Sequence, residues 1–164
     1  MLNGLDEGIK VQVSTTISGA ESPKLVLESV QNIFPDFNAD DFVEPKFGAS
    51  NNYHWTNEQI SLNNFLQMVH KQAILDTALD VMSMNLKNHK TSFQLLRQAS
   101  IAKKIAFNLD VGNPLGGVIN IELSGDNLAD WLEAATWHKG RDSVPKRIDD
   151  ERKMDIDGEA STWI

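Results

Sequence analysis

His54, His70, His89 and His138 are the side chains best suited to hold a metal or move protons near neutral pH. Their separations match no metal-ligand spacing, and none belongs to a His-Glu-x-x-His pair. Asp76 and Asp80 stand one helical turn apart, close enough for two carboxylates to share acid–base work. The same spacing is common on solvated acidic helix faces, and that is the expected use here. No Gly-x-Ser-x-Gly elbow marks a nucleophilic serine. Asn113-Pro114-Leu115-Gly116-Gly117 precedes a strand pattern and lacks the Lys-Ser or Lys-Thr of a phosphate loop, so it reads as a tight turn. Asp155-Ile156-Asp157-Gly158 covers only a fragment of a calcium loop. With no cysteine there is no thiolate nucleophile, disulfide or cysteine-ligated metal. The expectation is a protein that is not an enzyme and needs no cofactor.

Charge is the more informative chemistry. The chain has 164 residues and a formal net charge of −8, which opposes indiscriminate attraction to phosphate polyanions. The charge is unevenly spread. Residues 1–60 hold three lysines against nine acidic residues, whereas residues 81–109 contain Lys87, Lys90, Arg97, Lys103 and Lys104 and no acid. Lys87, Lys90, Lys103 and Lys104 are candidate phosphate contacts. Arg97 and its neighbour Gln98 are candidates for a phosphate or a base edge. The competing reading is a solvated basic face that balances an acidic body. Trp55, Trp137 and Trp163 are candidate protein-contact residues, and Trp131 has a core position.

The elements that must position these residues follow from periodicity. Ile9, Val11, Val13, Thr15 and Ile17 alternate with polar residues and predict a first strand. Ser22 followed by Pro23 starts a helix that ends at Pro35. Residues 42–47 read as a short edge strand because of Pro45. Residues 48–56 read as a loop or hairpin turn leading into a short strand near His54. Leu62, Phe65, Leu66, Val69, Ala73, Ile74, Ala78 and Val81 predict one long helix over 61–84, its second half apolar on more than one side. Alternation at Phe93 and Leu95, then at Ile105, Phe107 and Leu109, predicts two strands around a short turn, with a single helix over 92–107 as the competitor. Residues 118–123 are a strand, and Asp126 caps a last helix carrying Leu128, Trp131, Leu132 and Ala135. Residues 138–164 mix charges with few apolar side chains and predict a loosely attached tail that Trp163 could dock.

Several segments, in their order and separation, resemble a family of small, uncharacterised archaeal proteins grouped as an RNA-binding domain. They are Glu21-Ser22-Pro23 with Val26, Asn32-Ile33-Phe34-Pro35, Ser61-Leu62, Ile74-Leu75-Asp76-Thr77-Ala78, Phe93 with Leu95, Arg97-Gln98-Ala99, Pro114-Leu115-Gly116 and Asp130-Trp131-Leu132. The resemblance runs over about residues 9–135. The resemblance implies a fold similar to the large-subunit ribosomal protein that holds 5S RNA, a mixed sheet with helices on one face, and it implies RNA binding. The chain departs from the family at Gly19-Ala20, at Ala73 and Leu79, where the family carries arginine, and at Leu96.

These observations predict an α+β fold of two layers, a mixed or mostly antiparallel sheet with three main helices packed on one face. One domain is expected over 1–137, followed by a charged tail over 138–164. The expected function is non-enzymatic binding, of RNA through the basic segment or, alternatively, of a protein partner or a second copy of the chain. Nothing resembles a signal peptide or a membrane span, so a cytoplasmic protein without membrane contact is expected.

Overall fold

A computed structural model describes residues 2–19, 21–39, 51–110, 112 and 114–148. Strand β1 (Lys10–Gly19) is followed by helix α1 (Pro23–Gln31), β2 (Asn51–Glu58), α2 (Asn63–Lys71), α3 (Leu75–Met84), β3 (Lys90–Leu96), the short α4 (Arg97–Ile101), β4 (Val118–Ser124) and α5 (Leu128–Ala135). The four strands form one antiparallel sheet in the order β2-β1-β4-β3, an α+β architecture as expected. The expected strand over 42–47 lies outside the described residues.

Period-two alternation decides which side of the sheet meets the helices. Val11, Val13, Thr15 and Ile17 of β1 are buried, as are Ile119, Ile121 and Leu123 of β4 and Phe93 and Leu95 of β3. Because directly paired residues share a face, Val13, Ile121 and Phe93 form one inward row. The helices close that face with Val26, Val30, Phe65, Val69, Leu79, Met82 and Leu132. Phe65 stands at the centre of a ring cluster, with centroids 6.0 Å from Phe34, 5.8 Å from Phe93 and 6.5 Å from Phe107.

Three expectations are corrected. The single helix over 61–84 is two helices, because Ala73 adopts a left-handed backbone (φ 59°) that no α-helix continues. The Gln72 amide fixes this break by donating to the Ile105 carbonyl (3.1 Å) and accepting from the Ile105 amide (2.7 Å), so a residue 33 positions away holds the bend. The polar segment 51–58, read mostly as loop, is a full strand because it pairs with β1 from Gln12↔Glu58 to Gly19↔Asn51, and tertiary pairing overrides its weak strand composition. The region around Arg97 lies between the two readings: β3 is the first expected strand, only residues 97–101 are helical, and the second strand reduces to an isolated bridge between Leu95 and Phe107.

The expected loose tail is attached as far as residue 148. The Arg141 guanidinium is buried, donating from Nε to Asp76 Oδ1 (3.0 Å), from Nη1 to the Glu133 carbonyl (3.1 Å) and from Nη2 to Thr136 Oγ1 (3.1 Å). His138 Nε2 lies 2.9 Å from the same Asp76 oxygen, and Lys146 pairs with Asp80 at 3.0 Å. Residues 149–164, with Trp163, lie outside the described residues.

Burial alone would raise the Asp76 carboxyl, but the hydrogen bonds from His138 and Arg141 and their charges outweigh it and hold the group below its ordinary value of 3.8. Glu7 is lowered from 4.5, first by the hydrogen bond from Trp131 Nε1 (3.0 Å) and also by the amides of Gly4 and Asn3, against the effect of burial. A carboxylate lowered by folding stabilises the native state above its unfolded pKa and loses that contribution as pH falls through the folded value. Thermal melting followed from pH 6 downward should therefore hold steady until about pH 4.5 and then fall. Asp76→Asn with Glu7→Gln should lower the plateau and flatten the acid limb. An unchanged acid limb in the double variant contradicts the assignment.

Candidate nucleic-acid interface

The register sorts the outward side chains of the sheet's other face into rows, and Val81 and Met84 of α3 join them in lining one concavity there. At one end, Lys10 and Lys90 are both paired with Ser124. Lys90 also forms a bridge with Lys87, with backbone hydrogen bonds of 2.8 and 3.0 Å in the two directions. The two residues between them, Asn88 and His89, both have positive φ (53° and 63°), the two-residue turn that matches strand twist. Directly paired residues project to the same side, so Lys87, Lys90, Ser124 and Lys10 make a row three strand spacings long, about 15 Å. All three lysines are exposed, and no described acid pairs with them.

Two residues further along each strand, about 7 Å away, the paired set is Ser92, Glu122, Gln12 and Glu58. The next is Gln94, Asn120, Ser14 and Thr56. Here three carboxamides are joined: Asn108 Nδ2 donates to Gln94 Oε1 (2.8 Å), and Gln94 Nε2 donates to Asn120 Oδ1 (2.8 Å). Beyond them Thr16 Oγ1 and His54 Nδ1 lie 2.9 Å apart. Two adjoining concavities follow these rows. One of about 540 Å³ lies over the lysine end, and one of about 590 Å³ lies over the carboxamides; both include Gln12, Ser92 and Glu122.

The basic segment of the sequence is not one patch. Lys87 precedes β3 and Lys90 begins it, whereas Lys103 and Lys104 follow α4 beyond the strand's other end. The seven residues of β3 alone separate the pairs by about 20 Å. Lys103 and Lys104 are exposed on the helical side, where the Lys104 amide donates to the Ala99 carbonyl (3.1 Å). Gln98 is exposed beside Leu25, Ile101 and Leu115 in a groove of about 290 Å³ between α1 and α4.

Arg97 faces inward and is 4% exposed. Its Nε donates to the Gly116 carbonyl (2.8 Å), Nη1 to Thr15 Oγ1 (2.9 Å) and the Thr16 carbonyl (3.0 Å), and Nη2 to Glu21 Oε1 (2.7 Å). Its fork is occupied within the protein, so it is not available to a ligand. Gly117 (φ 76°) makes room for it, since a Cβ there would collide with the guanidinium. Of the tryptophan candidates, Trp55 is buried and Trp137 is about half exposed. Lys10 and the carboxamides of β3 and β4 were missed by sequence reasoning. The available signal was the polar half of each alternating strand, but only register says which polar residues meet.

The carboxylates chosen for possible acid–base work, Asp76 and Asp80, are engaged with Arg141, His138 and Lys146. Among the described residues no three histidine or acidic side chains cluster in a way that could hold a metal. No helix there is long and apolar enough to cross a membrane.

No family model matches the chain. It is 27% identical over 126 residues to a UPF0201 protein of Methanothermobacter thermautotrophicus, covering 75% of this chain and 89% of that one. The chain is similar to the archaeal UPF0201 proteins. A second, from Sulfurisphaera tokodaii, is 29% identical over 131 residues, covering 77% of this chain and 88% of that one. The crystal structure of the UPF0201 protein from Methanococcus jannaschii superposes with a TM-score of 0.64 at 22% identity, over 80% of this chain and 96% of that one. Another UPF0201 crystal structure gives 0.59 at 24% identity, over 76% and 90%. The name UPF0201 states no ligand or activity, so the likeness supports the fold and leaves the site to its own chemistry.

Proposed function

We propose that the chain is a non-enzymatic RNA-binding protein that takes its ligand on the open face of the sheet. The observation that carries this reading is the row formed by Lys87, Lys90 and Lys10, three exposed cations without an acidic partner at the head of a polar concavity. Phosphate contacts from such a row supply affinity and register, and the polar rows beyond it meet the rest of the nucleotide. The net charge of −8 and the carboxylates of Glu58 and Glu122 confine phosphate to that end. Binding is therefore local and involves few ion contacts. RNA binding is also what the resemblance implied, and the row across the sheet supports a site there in place of the linear segment.

For a single strand, three phosphate contacts give a logarithmic salt slope of about −2. Fluorescence anisotropy with a labelled 12-nucleotide RNA at several salt concentrations should show that value. Lys10→Ala with Lys87→Ala and Lys90→Ala should bring the slope close to zero, while Lys103→Ala with Lys104→Ala should leave it unchanged. A slope that follows Lys103 and Lys104 instead would move the site to the helical layer. No binding at low salt would remove the RNA reading and leave a protein-interaction module as the better account.

A further inference from the structure

We infer that the open face reads unpaired RNA by its base edges, favours adenine and rejects uracil. This inference rests on the RNA reading above. The face displays no Phe, Tyr or Trp ring among its described outward side chains, since Tyr53, Trp55 and Phe93 belong to the inward rows, and its imidazole, His54, is tied to Thr16 Oγ1 at 2.9 Å. Stacking, the usual sequence-tolerant means of holding single strands, is therefore not what this surface offers.

It offers preset hydrogen-bonding groups instead. Asn120 sits on β4, an interior strand paired on both sides, and its carbonyl oxygen accepts from Gln94, which is itself oriented by Asn108. That chain leaves the Asn120 amide donors and a remaining oxygen lone pair to the concavity. A carboxamide pairs with adenine through two hydrogen bonds, donating to a ring nitrogen and accepting from the exocyclic amino group. The same carboxamide can pair with uracil by donating to a carbonyl and accepting from N3–H, so the choice between the two bases falls to the flanking groups. Uracil presents carbonyl acceptors on either side of its single N–H. The neighbouring Glu122 and Glu58 are acceptors only when ionised, so they accept from amino groups and repel those carbonyls. The same carboxylates repel phosphate, so a strand anchored on Lys10, Lys87 and Lys90 turns its bases, rather than its backbone, toward the middle of the sheet. A base paired in a duplex has this edge covered on its Watson–Crick side, and the A-form major groove hides the other from side chains.

The test compares A12 and U12 RNA, and A12 in a duplex, by anisotropy at one low salt concentration. The wild-type chain should bind A12 roughly tenfold more tightly than U12, the discrimination expected of one good bidentate pair, and the duplex more weakly than single-stranded A12. Glu122→Gln with Glu58→Gln, which preserves shape and gives the flanking positions donors for uracil's carbonyls, should bring A12 and U12 within about twofold. Gln94→Ala, at the sheet edge, should weaken A12 by releasing Asn120, with thermal melting confirming that these variants fold. Lys10→Ala should weaken both RNAs equally. Equal binding of A12 and U12 by the wild type, or a ratio unchanged in folded Glu122→Gln with Glu58→Gln, overturns base reading while a lysine-dependent salt slope keeps the RNA reading. Absence of binding to every RNA overturns both.

Discussion

Arg97→Ala should lower the melting temperature by about 10 °C, from a loss of about 3–5 kcal/mol at about 2–4 °C per kcal/mol for a chain of this size. The magnitude follows from what the guanidinium holds. It joins the Thr15–Thr16 stretch of β1, Glu21 just before α1 and the Gly116 carbonyl, all within 3.0 Å. Alanine leaves Thr15 Oγ1, two carbonyls and the Glu21 carboxylate without that donor in a closed site, and unmade buried hydrogen bonds cost more than made ones contribute. Arg97→Lys should recover little, because an ammonium group cannot reproduce the planar fork that reaches partners in three directions. RNA affinity measured on the folded fraction should be unchanged. A variant that melts normally but loses RNA would reverse this assignment and return Arg97 to the ligand.

Arg141→Ala is the second large effect, about 2–3 kcal/mol from the loss of charge-assisted and backbone hydrogen bonds at a buried guanidinium. It should also expose residues 138–148 to limited proteolysis, since Arg141 ties that segment to Asp76 on α3 and to Glu133 and Thr136 at the end of α5. Lys146→Ala is the contrasting variant. Its pair with Asp80 lies nearer the surface, with side chains 20% and 24% exposed, and its removal should cost under about 1 kcal/mol. Equal effects from the two substitutions would mean that the segment is held by general charge attraction rather than by the buried fork.

Much of the fold was legible because burial leaves a period in the sequence. Ile9 to Ile17 announced β1, Ser22-Pro23 announced the start of α1, where Ser22 Oγ accepts from the Leu25 amide, and Leu128, Trp131 and Leu132 announced α5. The miss at β2 has a physical cause. Tyr53 and Trp55 do alternate inward, but Asn51, Asn52, Asn57 and Glu58 around them are poor strand formers, and β1 supplies the pairing that makes the segment extended. The break at Ala73 was hidden for a similar reason: an apolar stripe runs through both helices, and the bend depends on Gln72 meeting Ile105.

The candidate site divides along the same line. Periodicity, composition and local charge by themselves determined that the chain combines strands and helices in an α+β fold, that it lacks cysteine chemistry, and that residues 81–109 carry cations and no acid. Only the tertiary structure decided what those cations do. Strand register, which depends on pairing between segments more than a hundred residues apart, set Lys10 beside Lys87 and Lys90. The length of β3 carried Lys103 and Lys104 away from them. Arg97, adjacent in sequence to exposed Gln98, was turned inward because the close approach of β1, α1 and the turn at Gly116–Gly117 leaves polar groups that only a buried, multiply hydrogen-bonded cation satisfies.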